Sequence, residues 1–223
     1  MIRFILCLIC FSVFGTASTT TAQDVKVSRK YRPGLAVKFV PLPLIDYTPA
    51  LQFGVEVGTF KNQSVELEYG YVFNLHSYRN PNADFTGYKL KATYRWFPFK
   101  EESGARNMFF ALQYMNKRVV TSGMDVVWRA NRTYQEIMEL DIVNQTNAFF
   151  IMSGFVFPVG KKFRFETALG LGGRFLNVGV DNVPDDVEYD GDLSTGFFNP
   201  VIGEGDYGYP ALIISGKVVY QIF

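Results

Sequence analysis

The sequence has 223 residues, of which 48% are hydrophobic and 17% aromatic, and its formal net charge is +1 at pH 7. Without the first 22 residues, basic and acidic residues are equal in number, so no strong field draws the chain to nucleic acid or to an acidic surface. The length fits one all-β domain. Both cysteines, Cys7 and Cys10, lie in the first 22 residues, so a chain that has lost this segment has no disulfide.

The amino-terminal segment has the pattern of a signal peptide. Arg3 is followed by an apolar run over residues 4–14 and then by small and hydroxyl residues as far as Ala22. The run is shorter than the roughly 20 apolar residues that cross a bilayer, and no later stretch is suited to a membrane helix. We predict cleavage after Ala22, with Ala17 as the second choice, and one domain over residues 23–223. A buried helix or an anchor is the alternative for the apolar run.

The first strands are predicted by alternation. Apolar residues take every second position in residues 51–57 and again in residues 65–73, with charged, polar or glycine residues between them. A period of two indicates strands, and the short polar turn at residues 61–63 predicts that they form an antiparallel hairpin. An earlier strand is predicted from Gly34 to Val40, where two prolines in the following residues interrupt the ladder.

Five further strands are predicted, and two segments between them lack a clean period. The strands are predicted at Gly87 to Pro98, Met108 to about Val119, Ala148 to Val159, Phe163 to Gly172 and, at the end of the chain, Tyr209 to Phe223, the first hairpin being counted separately. Residues 121–147 are interpreted as a long hairpin extension or a loop, and residues 177–207 as a long acidic loop. Short and long connections alternate, which is typical of an all-β, antiparallel up-and-down transmembrane β-barrel of about eight strands.

Two barrel architectures fit this pattern, and they place the apolar faces oppositely. A soluble lipocalin-like carrier has apolar residues inside, whereas an outer-membrane barrel has them outside, against lipid. Aromatic residues on the apolar face near strand ends are typical of an interfacial girdle, and glycines on the charged face suit a narrow interior. We therefore predict the membrane barrel. The predicted girdle consists of Tyr69, Tyr71, Phe73, Tyr88, Tyr94, Trp96 and Tyr220.

Charged residues at the alternate, non-apolar positions are predicted to pair inside this barrel. An eight-stranded barrel has room only for its own side chains, and an unpaired charge out of water is costly. The predicted lumen network consists of Glu56, Glu66, Glu68, Lys89, Lys91, Arg95, Arg164, Glu166, Arg174 and Lys217. A functional ion path is the alternative to a structural network.

Part of the chain also resembles a known family. The run from Phe39 to Glu56, followed by Ser64 to Tyr71, resembles the start of small outer-membrane β-barrel proteins of Bacteroidetes type, often grouped as a domain of unknown function. The Ala22–Gln23 junction is similar to signal cleavage in that group. The resemblance covers the first hairpin and the general layout. It implies export to the outer membrane of a Gram-negative bacterium, with outer-membrane lipid and the barrel-assembly machinery as partners.

The end of the chain departs from the usual barrel-assembly signal. The last residue, Phe223, is aromatic and directly follows the last predicted strand. In the usual signal the terminal aromatic shares its face with hydrophobic residues, whereas here Gln221 and Lys217 share the face of Phe223. The apolar set is shifted by one position.

The sequence contains no convincing catalytic or metal-binding pattern. His76, the single histidine, is adjacent to Ser77 in a predicted outer loop. A surface acyl hydrolase would need these residues two apart on a strand, an orienting acid, for which Asp84 is a candidate by position, and an oxyanion site. No spacing of Cys, His or carboxylates predicts a metal site, and Gly170 to Gly173 lacks the following helix that phosphate binding needs.

The predicted function is that of a non-enzymatic outer-membrane barrel without a cofactor. Residues 121–147 and 177–207 would face the outside and serve a structural or surface-interaction role. The alternatives are a small-solute channel, an acyl hydrolase of outer-membrane lipid, and a soluble lipid carrier. The extracellular partner is left open.

Overall fold

The computed structural model describes residues 34–45, 48–60, 62–74, 84–99, 107–130, 132–181, 184, 187–188 and 205–222. The predicted signal peptide, His76, Ser77 and Phe223 lie outside the described residues. Within these ranges, no helix is both long enough and apolar enough to cross a bilayer.

The described part of the chain is built almost entirely from strands. Their bounds are β1 Ala36–Val40, β2 Ala50–Phe60, β3 Gln63–Val72, β4 Asp84–Trp96, β5 Met108–Arg129, β6 Tyr134–Val159, β7 Phe163–Asp181, β8 Val187–Glu188 and β9 Gly205–Gln221. A 3-10 turn, Leu42–Ile45, lies between β1 and β2. The predicted all-β class is confirmed.

The strands form one antiparallel sheet that closes into a ring. Its order is β4-β3-β2-β1-β9-β7-β6-β5-β8, and a further pairing of β4 with β5 completes the closure. Eight of the nine strands make the ring, whereas β8 adds to the outer part of β5 at Trp128 and Arg129. The predicted number of about eight strands therefore differs from the nine observed, because a strand of two residues is too short to show a period.

Strands β5 and β6 are longer than predicted and form a hairpin that extends beyond the ring. They pair without interruption from Met108↔Phe155 to Arg129↔Tyr134. Residues 121–147 therefore belong to this hairpin, and the alternative of a loop is wrong. Beyond Ser122 and Asp141 the hairpin has no flanking strand among the described residues apart from β8, so it does not need one continuous apolar face.

The prediction of a loop over residues 177–207 is also wrong for both ends of this range. Strand β7 continues to Asp181, and β9 begins at Gly205, with Asn177 paired to Asp206. At the opposite end of the ring the β6–β7 connection is a tight turn, in which Gly160 has a φ of 69°. Glycine adopts this left-handed conformation without the steric cost of a Cβ atom.

Side chains alternate between the interior and the exterior of the ring. On β2, Gln52 and Glu56 are buried while Phe53 and Val55 between them are exposed. Strand β6, whose sequence is apolar on both faces, shows the same alternation. Its inward side chains belong to a buried apolar cluster formed by Phe97, Phe109, Ala111, Met115, Ala148, Phe150, Met152 and Val156. The interior therefore has an apolar part, and the charges described below occupy the rest.

Candidate functional site

The most distinctive site is a cluster of buried charges inside the ring. Nine charged side chains from six strands lie at inward-facing positions, and each is at most 8% exposed. They are Lys38 on β1, Glu56 on β2, Glu66 and Glu68 on β3, Lys91 and Arg95 on β4, Arg164 and Glu166 on β7, and Lys217 on β9. Period-two alternation brings them together, because every second residue of a strand in a closed sheet points inward.

Lys38 lies at the centre of this ion-pair network. Its Nζ atom is 3.0 Å from Glu56 Oε2, 2.7 Å from Glu66 Oε2 and 2.8 Å from Glu166 Oε2. These contacts join β1 to β2, β3 and β7. Lys38 was not among the predicted network residues, although its inward position on β1 between Val37 and Phe39 is a signal that could have identified it.

Two arginines complete the pairing of the same carboxylates. The Nη1 atom of Arg95 is 2.9 Å from Glu166 Oε2, and Arg95 also pairs with Glu56. Arg164 donates from Nε to Glu166 Oε1 at 2.8 Å and pairs through Nη2 with Glu56. Each carboxylate therefore meets several cations, an arrangement that offsets part of the cost of removing the charges from water.

The network continues along β3 from Glu66 to Glu68. Lys217 contacts both Glu66 and Glu68, and Lys91 Nζ is 3.5 Å from Glu68 Oε2. Gln52 donates a hydrogen bond to Glu68 from the neighbouring strand. The side chains of β1 to β4, β7 and β9 are thus connected through polar contacts across the interior.

The apolar part of the interior contacts the network at Arg95. The guanidinium carbon of Arg95 is 5.7 Å from the ring centre of Phe97 and 5.2 Å from that of Phe109. Both rings belong to the buried apolar cluster, and an arginine at this distance is attracted to an aromatic face. Arg95 therefore joins the charged and apolar parts of the interior.

The structure brings together eight of the ten residues of the predicted network. Lys89 and Arg174 are half-buried and lie further along the ring, towards the β3–β4 connection and towards the end of β7. Lys89 is the cross-strand neighbour of Gly70 and Lys117, and Arg174 that of Ala148 and Tyr209.

The predicted girdle residues all lie on the exterior, at two levels. Trp96, Tyr94 and Tyr220 are near the end with the short connections, where the ring of Phe163 packs edge-on against Tyr220 with centroids 5.2 Å apart. The other four are towards the opposite end. Tyr69 and Tyr71 are exposed, and Phe73 and Tyr88 are half-buried. Phe163, which was predicted in a strand but not in the girdle, lies on the same exterior level as Tyr220.

The free space beside Arg95, Glu166 and Lys217 is small. A cavity of about 10 Å³ is lined by Arg95, Glu166, Lys217 and six neighbours, and a space of this size holds roughly one water molecule. Gln113 Oε1 and Ser215 Oγ also line it and are buried without a hydrogen-bond partner among the described residues. The geometry at this level suits packing and pairing of side chains.

Of the predicted catalytic candidates, the structure describes Asp84. Asp84 accepts a hydrogen bond from Asn74 Nδ2 at 3.0 Å. Within the described ranges, no three His, Cys, Asp or Glu side chains are grouped so that they could hold a metal ion. The predicted catalytic pair, His76 and Ser77, lies outside those ranges.

Comparison with known proteins gives no relative. No protein-family model, no curated protein and no solved structure matches this chain. The site is therefore interpreted from its own geometry.

Proposed function

We propose that this protein is an outer-membrane β-barrel with a packed interior, which anchors the β5–β6 hairpin at the outer surface. The observation that carries the proposal is that apolar side chains cover the exterior and charged side chains lie inside, which is the reverse of a soluble protein. Leu67 is 62% and Leu169 54% exposed on the exterior, whereas Glu66 is 0% and Arg95 1% exposed inside. Soluble monomers rarely expose a contiguous apolar patch of more than a few hundred Å², whereas a membrane barrel needs an apolar outer band.

The height of the apolar exterior supports the same proposal. On β6, outward side chains are apolar from Phe149 to Val159, apart from Ser153. Ten steps of about 3.3 Å, tilted by about 40°, correspond to roughly 25 Å along the ring axis. This height matches the apolar band of outer-membrane barrels.

The connections support an orientation. Short turns after β2 and β6 lie at one end of the ring, and the long β5–β6 hairpin lies at the other. Outer-membrane barrels have short periplasmic turns and long external loops, so we place the hairpin outside the cell. Signal-peptide export, the Bacteroidetes-type resemblance and assembly by the barrel machinery are parts of this proposal.

The ion-pair network has a structural role in this proposal. A slip of one residue between strands exchanges the two faces of a strand. Such a slip in β3 would move Glu66 and Glu68 into the lipid, where charge is costly. The network therefore fixes the register of strands whose apolar residues alone would allow alternatives.

The geometry favours an anchor over the other functions considered. A conducting channel needs continuous space, whereas the interior beside Arg95 is filled by paired and packed side chains. A lipocalin-like carrier needs an apolar interior cavity and a polar exterior, which is the reverse of the arrangement of Leu67 and Glu66.

Membrane fractionation tests the proposal. We expect the mature protein in the outer-membrane fraction, extracted only by detergent, with faster gel migration before heating than after it. Purified protein in liposomes should show conductance near that of empty liposomes. Recovery of folded protein from the periplasm without detergent would contradict the membrane placement, and stable unitary currents would contradict the packed interior.

A further inference from the structure

On the β6 side of the β5–β6 hairpin, the pairing with β7 stops before the end of the hairpin. The outermost pair of β6 with β7 is Asp141↔Asp181, whereas β6 and β5 remain paired as far as Tyr134. Residues Tyr134–Leu140 therefore have β5 on one side. On the other side, the part of the chain that the structure describes supplies no strand.

The hydrogen-bond pattern shows which groups face this side. Val156 N–H donates to Asn107 C=O at 3.0 Å, one step beyond the pair Met108↔Phe155. Bonded and non-bonded pairs alternate in an antiparallel ladder, so even-numbered residues of β6 exchange hydrogen bonds with β5. The backbone N–H and C=O groups of Gln135, Ile137 and Glu139 therefore point away from β5.

The two edges of the hairpin differ. On the β5 side, β8 pairs with Trp128 and Arg129. The β6 edge contains neither proline nor lysine, which are common means of preventing strand addition. Its apolar side chains are accessible, since Tyr134 is 53% and Ile137 69% exposed. An accessible edge of this kind is a template for an added strand.

Charge indicates the chemistry of the segment that would add. Glu139 is exposed on the same outward face as Asp141 and Asp181, which are directly opposite each other. Like charges at opposed positions are unfavourable and favour a cation nearby. Asp141 also accepts a hydrogen bond from Ser122, and Glu136 pairs with Arg129 at 2.8 Å, so Glu139 is the carboxylate on which the charge argument rests.

We propose that the β6 edge, Tyr134–Leu140, binds an extended basic segment of a partner protein as an added antiparallel strand. The segment would take the place of β7 beyond Asp181, with Lys or Arg opposite Glu139 and apolar residues opposite Met138 and Ile137. The inference rests on the proposed function, which places this edge outside the cell.

A second copy of this chain fits the edge less well. Antiparallel self-pairing centred on Ile137 would place Glu139 opposite Gln135, so it would bring no cation to the carboxylate of Glu139. Charge complementarity therefore favours a basic partner, and self-association becomes an outcome of the test.

The test uses the full mature protein in detergent micelles and a fluorescent peptide as long as the edge. The peptide has Lys opposite Glu139, Val opposite Met138 and Ile137, and Thr elsewhere; the control peptide has Glu in place of Lys. Fluorescence anisotropy should show saturable binding of the Lys peptide, and binding of the Glu peptide at least about tenfold weaker. Equal binding of both peptides, or no binding of the Lys peptide, would overturn the proposal.

Variants separate edge pairing from side-chain contact. Ile137→Pro removes an edge N–H without removing a bond to β5, so it should weaken binding about tenfold, whereas Ile137→Ala keeps the N–H and should bind more tightly than the proline variant. Glu139→Gln should weaken binding and reduce its dependence on salt, with Asp84→Asn as the unaffected control. Equal affinity of Ile137→Pro and Ile137→Ala would contradict strand addition.

Two readouts keep the outcomes distinct. An unchanged heat-dependent gel shift shows that each variant is folded, and Gln135→Pro replaces Ile137→Pro if the latter is not. Loss of the gel shift in the unmodified protein would count against the proposed function, while its retention without peptide binding counts only against the docking site. A dimer that Ile137→Pro abolishes would assign the edge to a second copy and overturn the basic partner.

Discussion

Strands β5 and β6 pass through two regions that share one ladder but differ in what surrounds it. Inside the ring each strand has a neighbour on both sides, and inward residues such as Met115 and Phe150 belong to a buried cluster. Beyond Ser122 and Asp141 the two strands have each other and the short β8. Packing therefore fixes the ladder in the ring, whereas an isolated two-stranded ribbon is only marginally stable.

The first prediction concerns the centre of the ion-pair network. Replacing Lys38 by Met removes one of the cations shared by Glu56, Glu66 and Glu166, and removal of one partner from a buried ion pair costs about 3–5 kcal/mol. We expect that loss in the free energy of unfolding, measured by urea titration of tryptophan fluorescence in lipid vesicles.

The control for Lys38 is Lys162→Met. Lys162 is an exposed residue in the β6–β7 turn, so we expect a change of less than about 1 kcal/mol. Equal stability of Lys38→Met and Lys162→Met would show that the network does not hold the ring together.

The second prediction compares the exteriors of the two regions. Leu169 lies midway along the apolar exterior of β7, so Leu169→Arg should destabilise the protein by about 2–4 kcal/mol in vesicles. Ile137→Arg, on the exposed hairpin, should change stability by less than about 0.5 kcal/mol in the same titration. Similar effects at the two positions would remove the distinction between a lipid-facing and a water-facing wall.

The third prediction uses two glycines of β7. A Cβ atom at Gly172 would lie 1.8 Å from Phe149 O, whereas one at Gly179 would have nothing within 4 Å. Gly172→Ala should therefore cost about 1–3 kcal/mol through overpacking, and Gly179→Ala should be neutral or slightly stabilising. Thermal unfolding followed by the gel shift measures both, and a reversed order would contradict the close approach of β7 to β6.

The smallest effect is expected at the ion pair of the hairpin. Arg129 Nε is 2.8 Å from Glu136 Oε2, but both side chains are partly exposed. Exposed ion pairs contribute about 0–1 kcal/mol, so Glu136→Gln should leave the urea midpoint almost unchanged. A loss as large as that of Lys38→Met would mean that the hairpin is as tightly coupled to the fold as the ring.

Alternation predicted the parts of the fold in which the two faces of a strand meet different environments. Glu66 and Leu67 are adjacent in sequence and lie on opposite sides of the wall, as the period of two requires. The pattern could not orient residues 148–159, because both the exterior and the cluster around Phe150 inside consist of apolar side chains.

The features that were missed depend on neighbours far along the chain. Alternation with Val37 and Phe39 could have placed Lys38 inside, but its partners depend on β1 lying between β2 and β9, which happens only when the ring closes. The hairpin beyond Ser122 has little period in its sequence, and β8 is recognised only by its pairing with Trp128 and Arg129. Sequence spacing contains none of these long-range pairings.

Lipid access to single cysteines tests the central claim most directly, because residues 23–223 contain no native cysteine. Fluorophores on Leu67→Cys and Leu169→Cys, in vesicles of brominated lipid, should be strongly quenched by the lipid, and a fluorophore on Ile137→Cys should not. This result would show that the exterior of the ring faces hydrocarbon while the hairpin stands in water. Equal and weak quenching at all three positions would contradict the account.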